Sequence, residues 1–497
     1  MAEERWRILF VTSEMAPLAH TGGLGDVTSA LAKTLAALGH DVRVVMPLYQ
    51  RVRDGDVVLT QVLPAVRVPL GTRVQNARLW QTALPGPPAP PAASSGVPVY
   101  FIEQDAYFAR PGLYGGETGD YPDNAERFTF FCRAVLTVIA ELDWVPDIMH
   151  CHDWQTALLP AYIRLLPGLY SRSSPMSVIY TIHNLTYQGI FPAQTLYTTG
   201  LPASLFQPDG IEFYGNLSFM KAGLLFADYL TTVSPTYAEE ICTPAFGAGL
   251  DGLLRTRRAV LSGILNGVDY DVWNPATDTA IAAPYSVSEL SGKAICKTAL
   301  LRTYGLPHEP DLPLIGMIAR LVDQKGVDLL AQALGVLLER DLRLVILGAG
   351  EPHYQDFLVA QARAHSDRMG VRVEFNDKLA HQIEAGSDCF LMPSRYEPCG
   401  LNQIYSMRYG TIPIVRATGG LRDTVLPYRA DSGTGTGFVF EDASAEALIG
   451  AVQEALIAFA DRAAWHRLMR NAMVQDFSWT QSAQHYVDLY RRAVTAR

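Results

Sequence analysis

The feature that most constrains the fold is a strand, a glycine-rich turn and a helix that follow one another at the start of the chain. Residues 7–12 form a short apolar run of strand-forming residues, residues 21–26 read Thr-Gly-Gly-Leu-Gly-Asp, and residues 27–38 have the pattern of a helix. A second apolar run follows at residues 41–47. This order predicts a βαβ unit, which is the building block of a doubly wound parallel sheet.

The same kind of pattern returns further along the chain. Strand-like runs are predicted at residues 147–152, 177–182, 229–233, 314–319, 342–347, 389–392 and 412–415. A helix is predicted at residues 327–338, so the βα pattern starts again in the second half. Because 497 residues are too many for a single core, we expect two Rossmann-like domains with a hinge near residues 270–310. The amphipathic segment 479–492 predicts a final helix that could pack on either domain. A stretch rich in Pro, Ala, Gly and Ser at residues 84–98 is expected to be a surface loop.

Composition narrows the class of protein. Hydrophobic residues make up 49% and charged residues 18% of the chain, which is ordinary for a soluble globular protein and argues against disorder. The net charge of −10, without a basic stripe, argues against nucleic acid as a partner. The start of the chain lacks the pattern of a secretory signal, no window has the apolar length of a membrane span, and the six cysteines form no C-x-x-C pair. We therefore expect a cytoplasmic protein that acts away from membranes.

Two motifs in the second half follow predicted strands. Arg320 and Lys325 could hold a pyrophosphate at the carboxyl end of a strand, although a solvated surface pair is the alternative. Glu397, in the segment Pro-Ser-Arg-Tyr-Glu-Pro-Cys-Gly-Leu, could accept hydrogen bonds from a sugar or stabilise an oxocarbenium-like centre. The alternative for Glu397 is a helix N-cap in a proline-rich turn.

Three motifs in the first half also follow predicted strands. The glycine turn at residues 21–26 suits an anionic or polar ligand, or is a tight turn without one. Asp153 ends the segment His-Cys-His-Asp, and the pair His183-Asn184 ends the next strand. Because ligands bind at the carboxyl edge of open α/β sheets, the repetition of such motifs favours a functional site.

No metal site is predicted. His150 and His152 share one face of a strand, but no third ligand is evident. The two pairs with D-x-D spacing, Asp54 with Asp56 and Asp269 with Asp271, do not lie next to the other motifs.

Taken together, these motifs resemble those of the bacterial glycogen synthase and plant starch synthase family, and the resemblance covers essentially the whole chain. The matching segments are residues 20–27, 150–154, 183–184, 265–269, 320–326, 397–401 and 418–421. The resemblance implies the GT-B fold, an α/β fold of two Rossmann-like doubly wound domains that face a deep cleft. It implies an acceptor domain at residues 1–270, a nucleotide-sugar domain at residues 271–478, and a C-terminal helix at residues 479–497 that crosses back to the first domain.

The resemblance also implies the reaction. A retaining transferase would move glucose from ADP-glucose to the non-reducing end of an α-1,4-glucan, such as glycogen or a starch-like polymer, and release ADP without a metal or another cofactor. Arg320 and Lys325 would neutralise the diphosphate, Glu397 would lie by the donor sugar, and His183 would lie near its reacting carbon. Asp153 would complete the catalytic set. The implied binding residues are Glu14, His20, Thr21, Gly22, Gly23, Asp26, Tyr114, Asn184, Asn266, Phe375, Cys399, Gly400, Leu401, Thr418, Gly419 and Gly420.

Some of these binding residues have specific implied roles. Asp153 and Asn266 would bind hydroxyls, and Phe375 would lie against the adenine. Tyr114 would lie near the acceptor or the nucleotide. The glycines at 22–23 and at 419–420 would present N–H groups to phosphate or sugar.

Other classes of protein with Rossmann-like domains would carry different sequence features. A glucan phosphorylase would carry pyridoxal phosphate on a lysine and is usually much longer, and a dehydrogenase would need a dinucleotide fingerprint, which is missing. An inactive glucan-binding homologue and a synthase that prefers UDP-glucose remain as alternatives. Within the motifs, one residue departs from the family pattern, because His20 stands where the family has lysine.

The substitution His20→Lys is expected to lower the KM for the nucleotide-sugar donor. Lysine is charged at pH 7, whereas histidine with an ordinary pKa is mostly neutral there. Initial rates against donor concentration at several pH values measure the effect. An unchanged KM and an unchanged pH profile would show that the charge at this position does not matter.

Overall fold

The protein forms two compact units. The structure, a computed structural model, describes residues 4–84, 96–116, 119–142, 144–166 and 176–496. The first unit comprises Met1–Val233, Ala238–Gly267 and Trp479–Arg497, and the second comprises Ser234–Tyr237 and Val268–Ser478. None of the helices in these described ranges is long and apolar enough to cross a membrane.

The first unit is built on a mostly parallel sheet. Its strands are β1 (Arg7–Val11), β2 (Asp41–Pro47), β3 (Thr60–Leu70), β4 (Arg73–Leu84), β5 (Val97–Glu103), β6 (Gly115–Gly116), β7 (Gly119–Asp120), β8 (Ile148–His152), β9 (Ser177–Ile182), β10 (Ile190–Pro192), β11 (Glu212–Phe213), β12 (Asn216–Ser218), β13 (Tyr229–Thr232) and β14 (Leu261–Gly263). Within the described residues, nine of them form one sheet in the order β14-β13-β9-β8-β1-β2-β5-β4-β3. Neighbours from β14 to β5 are parallel, and β4 is antiparallel to both β5 and β3.

Helices connect the parallel strands of the first unit. They are α1 (Gly23–Ala37), α2 (Gln50–Arg53), α3 (Asp105–Phe108), α4 (Asn124–Glu141), α5 (Leu158–Leu165), α6 (Thr195–Thr199), α7 (Phe219–Phe226), α8 (Pro235–Glu240), whose first residues belong to the second unit, and α9 (Asp251–Thr256). Every residue of β8 and β9 is buried, which is the pattern of central strands covered on both faces.

The second unit is built on a parallel sheet. Its strands are β15 (Leu314–Ile318), β16 (Arg343–Leu347), β17 (Met369–Arg372), β18 (Cys389–Met392), β19 (Ile412–Arg416) and β20 (Phe438–Phe440), in the order β17-β16-β15-β18-β19-β20. Its helices are α10 (Ser291–Tyr304), α11 (Val327–Leu338), α12 (Pro352–Ala364), α13 (Asp377–Gly386), α14 (Asn402–Arg408), α15 (Gly419–Thr424), α16 (Ala445–Ala460) and α17 (Arg462–Met473).

The core of the second unit lies on both faces of this sheet. Ile315 and Met317 of β15 pack in one apolar cluster with side chains from α11 and α16, whereas Leu314 packs in another with side chains from α10 and α13. Since alternate side chains of a strand point to opposite faces, helices cover the sheet on both sides. The predicted doubly wound architecture is confirmed.

The last helix, α18 (Trp479–Thr495), belongs to the first unit. It packs beside α1. Its backbone accepts a hydrogen bond at the carbonyl of Ala493 from the Ser177 hydroxyl, at 2.7 Å. The amphipathic pattern left open which domain this helix packs on, and it packs on the first, as the family resemblance implies.

Residues 270–310, where a hinge is expected, lie inside the second unit. Trp273 stacks between His381 and Tyr405, with ring centroids 3.9 Å away on each side. The hydroxyl of Tyr285 donates to the carbonyl of Tyr409 at 2.8 Å. These contacts fix the segment. The chain passes between the units at 233–234, 237–238, 267–268 and 478–479.

The predicted strands of both halves are confirmed, with bounds that agree within two residues. Helix α1 begins at Gly23, inside the predicted glycine turn, rather than at Val27. The hairpin of β3 and β4 has no counterpart in the sequence predictions. Most of the predicted loop at 84–98 lies outside the described residues, and its ends belong to β4 and β5.

Candidate active site

The candidate residues of the first unit follow the carboxyl ends of neighbouring strands. Glu14 follows β1, Asp153 follows β8 and His183 follows β9. These three strands are adjacent in the order β9-β8-β1, and parallel pairing brings their ends to the same edge of the sheet.

Glu14 holds the glycine turn through its carboxylate. The backbone N–H of Thr21 donates to Oε2 at 2.6 Å, the N–H of Gly22 donates to Oε2 at 3.3 Å, and the Thr21 hydroxyl donates to Oε1 at 2.9 Å. The Tyr114 hydroxyl also donates to Oε1 at 2.6 Å and lies 2.7 Å from the hydroxyl of Ser13. Glu14 is buried, and these donors offset the cost of removing its charge from water.

The N-terminus of α1 is thus occupied by a protein carboxylate. A negative group there is favoured by the helix dipole. The N–H of Gly22, which the resemblance assigns to a ligand, donates to Glu14 instead. Atoms added as Cβ at Gly22 or Gly23 would meet no heavy atom within 4 Å, so the outer surface of the turn is open.

His20 packs against the turn. A Cβ at Gly25 would lie 2.3 Å from Cβ of His20, so residue 25 must be glycine because of this contact. The His20 carbonyl accepts a hydrogen bond from Arg51 at 3.2 Å, and the His20 side chain is half-buried. Asp26 is exposed in the first turn of α1.

Asp153 has a strained backbone at this edge. Its φ of 54° and ψ of −176° fall in a region that glycine adopts and other residues avoid, at a cost of about 1–3 kcal/mol. Its Oδ1 accepts the backbone N–H of His183 at 2.8 Å. Burial raises the pKa of Asp153 to about 7, against the opposing effect of backbone N–H groups from His183 and Asn184. Asp153 therefore joins the ends of β8 and β9.

Three histidines meet beside Asp153. His150 bonds the Tyr490 hydroxyl through Nδ1 at 2.8 Å and the Thr181 hydroxyl through Nε2 at 2.6 Å. Nδ1 of His152 lies 3.0 Å from Nε2 of His183. Burial lowers the pKa of His150 and of His183 to about 3, and it lowers that of His152 well below the ordinary value. All three rings are neutral at pH 7, and both nitrogens of His150 are engaged in hydrogen bonds within the protein.

Two asparagines complete the candidate residues of the first unit. Oδ1 of Asn184 accepts the N–H of Thr186 at 3.1 Å and closes the turn after β9. Oδ1 of Asn266 is buried and has no hydrogen-bond partner among the described residues. It is an acceptor that a ligand hydroxyl could use.

In the second unit, Lys325 and Glu397 form an ion pair at the sheet edge. Nζ of Lys325 lies 2.6 Å from Oε2 of Glu397, which also accepts the hydroxyl of Ser394 at 3.0 Å. Lys325 follows β15 and Glu397 follows β18, which pair in parallel. Both side chains, with Gly400 and Leu401, line a cavity of about 80 Å³.

Two further candidates of the second unit lie at the surface. Arg320 is exposed and donates to Oε1 of Gln324 at 3.2 Å. Phe375 is 90% exposed, and no hydrogen bond or ring contact of the described residues joins it to the other candidates.

The glycines at 419 and 420 serve close packing. A Cβ at Gly419 would lie 1.9 Å from the carbonyl oxygen of Glu397, and one at Gly420 would lie 2.0 Å from that of Cys399. The N–H of Gly420 donates to the Glu397 carbonyl at 3.1 Å. This N–H is used inside the protein rather than presented to a ligand, because the turn at Thr418, which is buried, presses against the loop that carries Glu397.

Sequence reasoning missed three side chains that hold the candidate residues. Ser13 bonds Tyr114, Ser394 bonds Glu397, and His152 bonds His183. Ser13 and Ser394 lie within two residues of the carboxyl end of a strand. A search of all polar residues after predicted strands could therefore have found them. For His152, the strand pattern suggests only a metal ligand beside His150, and no local signal points to His183.

Comparisons with known proteins give matches to related families along nearly the whole chain. Residues 7–256 match the family model of the starch synthase catalytic domain, and residues 305–471 match that of the glycosyl transferases group 1. The chain is 47% identical over 492 residues to a glycogen synthase of Syntrophotalea carbinolica, an alignment that covers 98% of this chain and 99% of the relative. A glycogen synthase of an Anaeromyxobacter species is 50% identical over 485 residues, or 97% and 98% of the two chains. The chain belongs to the starch synthase and glycogen synthase family.

Solved structures agree with this family. The catalytic domain of starch synthase IV from Arabidopsis thaliana, bound to ADP and acarbose, has a TM-score of 0.89 and 35% identity and covers 99% of this chain and 100% of that one. Sucrose-phosphate synthase from Thermosynechococcus elongatus has a TM-score of 0.61 at 18% identity over 99% of this chain and 100% of that one, a likeness of fold alone. The expected GT-B fold is confirmed, and this member of the glycogen synthase family is a glycosyltransferase.

Asp153→Asn is expected to gain thermal stability relative to wild type as the pH rises from about 5 to about 8. In the unfolded chain Asp153 has its ordinary, acidic pKa, whereas in the fold its pKa is about 7. Folding therefore favours the protonated acid, and this contribution to stability is complete at low pH and is lost as the pH rises through about 7. Asparagine keeps the acceptor oxygen and the size of the side chain, but it does not ionise.

Melting temperatures of the two proteins across this pH range measure the effect. The same substitution at the exposed Asp356 controls for the loss of one negative charge. A difference in melting temperature that stays constant with pH would contradict the raised pKa of Asp153.

Proposed function

We propose that this enzyme transfers glucose from ADP-glucose to the non-reducing end of an α-1,4-glucan, with retention of configuration and without a metal ion. The observation that carries the proposal is the Lys325–Glu397 pair, because it places an ammonium group and a carboxylate together at the carboxyl edge of a parallel sheet. The Arabidopsis starch synthase IV structure, which is similar over nearly the whole chain, is described as bound to ADP and acarbose.

The second unit would hold the nucleotide sugar. A diphosphate leaving group gains negative charge as the glycosidic bond breaks, and a transferase without a metal must neutralise this charge with side chains. Lys325 and Arg320 would supply the cations. An incoming diphosphate would compete with Glu397 for Lys325, and the released Glu397 carboxylate would then accept hydrogen bonds from the donor sugar. Ser394 would keep Glu397 in place during this exchange.

The first unit would hold the acceptor glucan and contact the transferred glucose. His183 is neutral, so it can donate a hydrogen bond without adding positive charge beside an oxocarbenium-like sugar. Asn266 offers a buried acceptor oxygen, and Asp153 fixes the backbone that carries His183. Each unit would therefore bind one of the two substrates.

The remaining parts of the proposal concern partners and place. We propose no nucleic-acid or membrane partner, and a cytoplasmic location. The six cysteines are buried free thiols, which fits a reducing compartment.

Incubation with glycogen and either ADP-glucose or UDP-glucose, with release of nucleoside diphosphate followed, tests the proposal. Release from ADP-glucose, unchanged when EDTA is added, is expected. Release from UDP-glucose alone would overturn the donor assignment, and loss of activity in EDTA would overturn the metal-free reaction. No release with either donor would favour an inactive glucan-binding homologue.

Glu397→Ala is expected to lower kcat by about 100-fold or more while the protein stays folded, because the carboxylate pairs with Lys325, which would hold the diphosphate of the donor. Steady-state rates measure the change, and melting curves check the fold. Glu454→Ala, at an exposed glutamate of α16 in the same unit, is the matched control. Retention of the wild-type kcat in Glu397→Ala would remove Glu397 from the reaction.

A further inference from the structure

The contact between His152 and His183 joins a candidate catalytic side chain to one that no role accounts for. Nδ1 of His152 and Nε2 of His183 are 3.0 Å apart, which is a hydrogen-bond distance. His152 is fully buried, and the ring of Phe10 stacks on it with centroids 5.4 Å apart. The ring of His150 also packs against the His152 ring, with centroids 4.2 Å apart. The position of His152 is therefore fixed from several sides.

Each of the two rings carries a single proton. Burial lowers the pKa of His183 to about 3 and that of His152 well below its ordinary value, so neither ring is charged at neutral pH. A neutral imidazole has one N–H donor and one acceptor nitrogen. In the contact, one ring must donate and the other must accept, and the direction decides where both protons are.

The second nitrogen of His152 distinguishes the two directions. Nε2 of His152 is buried and has no hydrogen-bond partner in the part of the chain that the structure describes. If His183 donated, His152 would carry its own proton on Nε2, where this N–H would have no protein acceptor. If His152 donates, Nε2 keeps only a lone pair. Among backbone groups, a buried N–H without a partner is rarer than a buried carbonyl without one, and we apply the same order to these ring nitrogens.

We infer that His152 is a positioning residue that donates its Nδ1–H to Nε2 of His183 and so keeps the proton of His183 on Nδ1. The remaining donor of the His183 ring is then Nδ1–H. Free neutral histidine prefers its proton on Nε2, so the contact reverses the intrinsic preference. The consequence for catalysis rests on the proposed function, in which Nδ1–H of His183 would donate to a hydroxyl of the transferred glucose.

This role follows a general pattern, in which a side chain behind a catalytic histidine sets its tautomer and ring orientation before the substrate arrives. A fixed donor does not have to reorganise as charge develops on the sugar. His150 differs from His152 in this respect. The two ring nitrogens of His150 form hydrogen bonds with Tyr490 and Thr181, so neither nitrogen bonds His183.

The tautomer of His183 can be measured directly in the wild-type protein. Two-bond 1H–15N correlation spectra of protein labelled with 15N-histidine distinguish a proton on Nδ1 from one on Nε2. The chain has 11 histidines, and the signals missing from a His183→Gln spectrum identify those of His183. A proton on Nδ1 of His183 is expected, and a proton on Nε2 would overturn the inference without any activity being measured.

Variants at His152 and His150 separate positioning from packing. His152→Leu removes the donor, and it is expected to move the proton of His183 to Nε2. His152→Asn keeps an amide N–H near the place of Nδ1, and it is expected to retain the Nδ1 tautomer. His150→Leu, the matched control, removes an equally buried imidazole from the same face of β8 and is expected to leave the tautomer of His183 unchanged. A wild-type tautomer in His152→Leu would overturn the inference.

Kinetics test the consequence. His152→Leu is expected to lower kcat about tenfold, the effect of one lost hydrogen bond, with an unchanged dissociation constant for ADP. His152→Asn is expected to recover most of this loss. An equal fall in kcat in His150→Leu would show a packing effect and overturn the positioning role. Absence of transferase activity in the wild type would remove the proposed function, whereas the spectra would still decide the tautomer.

Discussion

The carboxyl ends of the parallel strands in the two sheets are the constraint on which the rest of this structure depends. The central strands are buried on both faces, so their side chains are taken up by packing against helices. The polar side chains of the candidate site therefore lie in the loops that follow the strands. Glu14, Asp153 and His183 lie at this edge in the first unit, and Lys325 and Glu397 lie there in the second.

These buried polar groups are held by short-range hydrogen bonds that also fix their geometry. Glu14 needs the donors of the glycine turn and Tyr114, and Asp153 needs the N–H of His183. Without such donors each carboxylate would carry the full cost of desolvation. Because the same bonds connect loops from different strands, the stability of the edge and the arrangement of the site have one physical origin.

The glycines of this family member show how a motif can be specific for a structural reason. Gly25, Gly419 and Gly420 leave no room for a Cβ, because His20 or a backbone carbonyl lies against them. Their conformation and close approach bring the loops of the site together. The turn at 418–421 therefore packs against the backbone of the loop that carries Glu397 and stabilises that loop.

The sequence by itself determined the strands β1, β2 and β9 and the helix α11. Each is a continuous segment with the hydrophobic pattern of a strand or a helix, and residues without that pattern follow it. The sequence also determined which residues follow strands, and so most of the candidate site. Only the tertiary structure decided that Tyr114 bonds Glu14, 100 residues away, and that His152 bonds His183. The physical reason is that local pattern specifies an element, whereas the order in which strands pair specifies which of their ends meet.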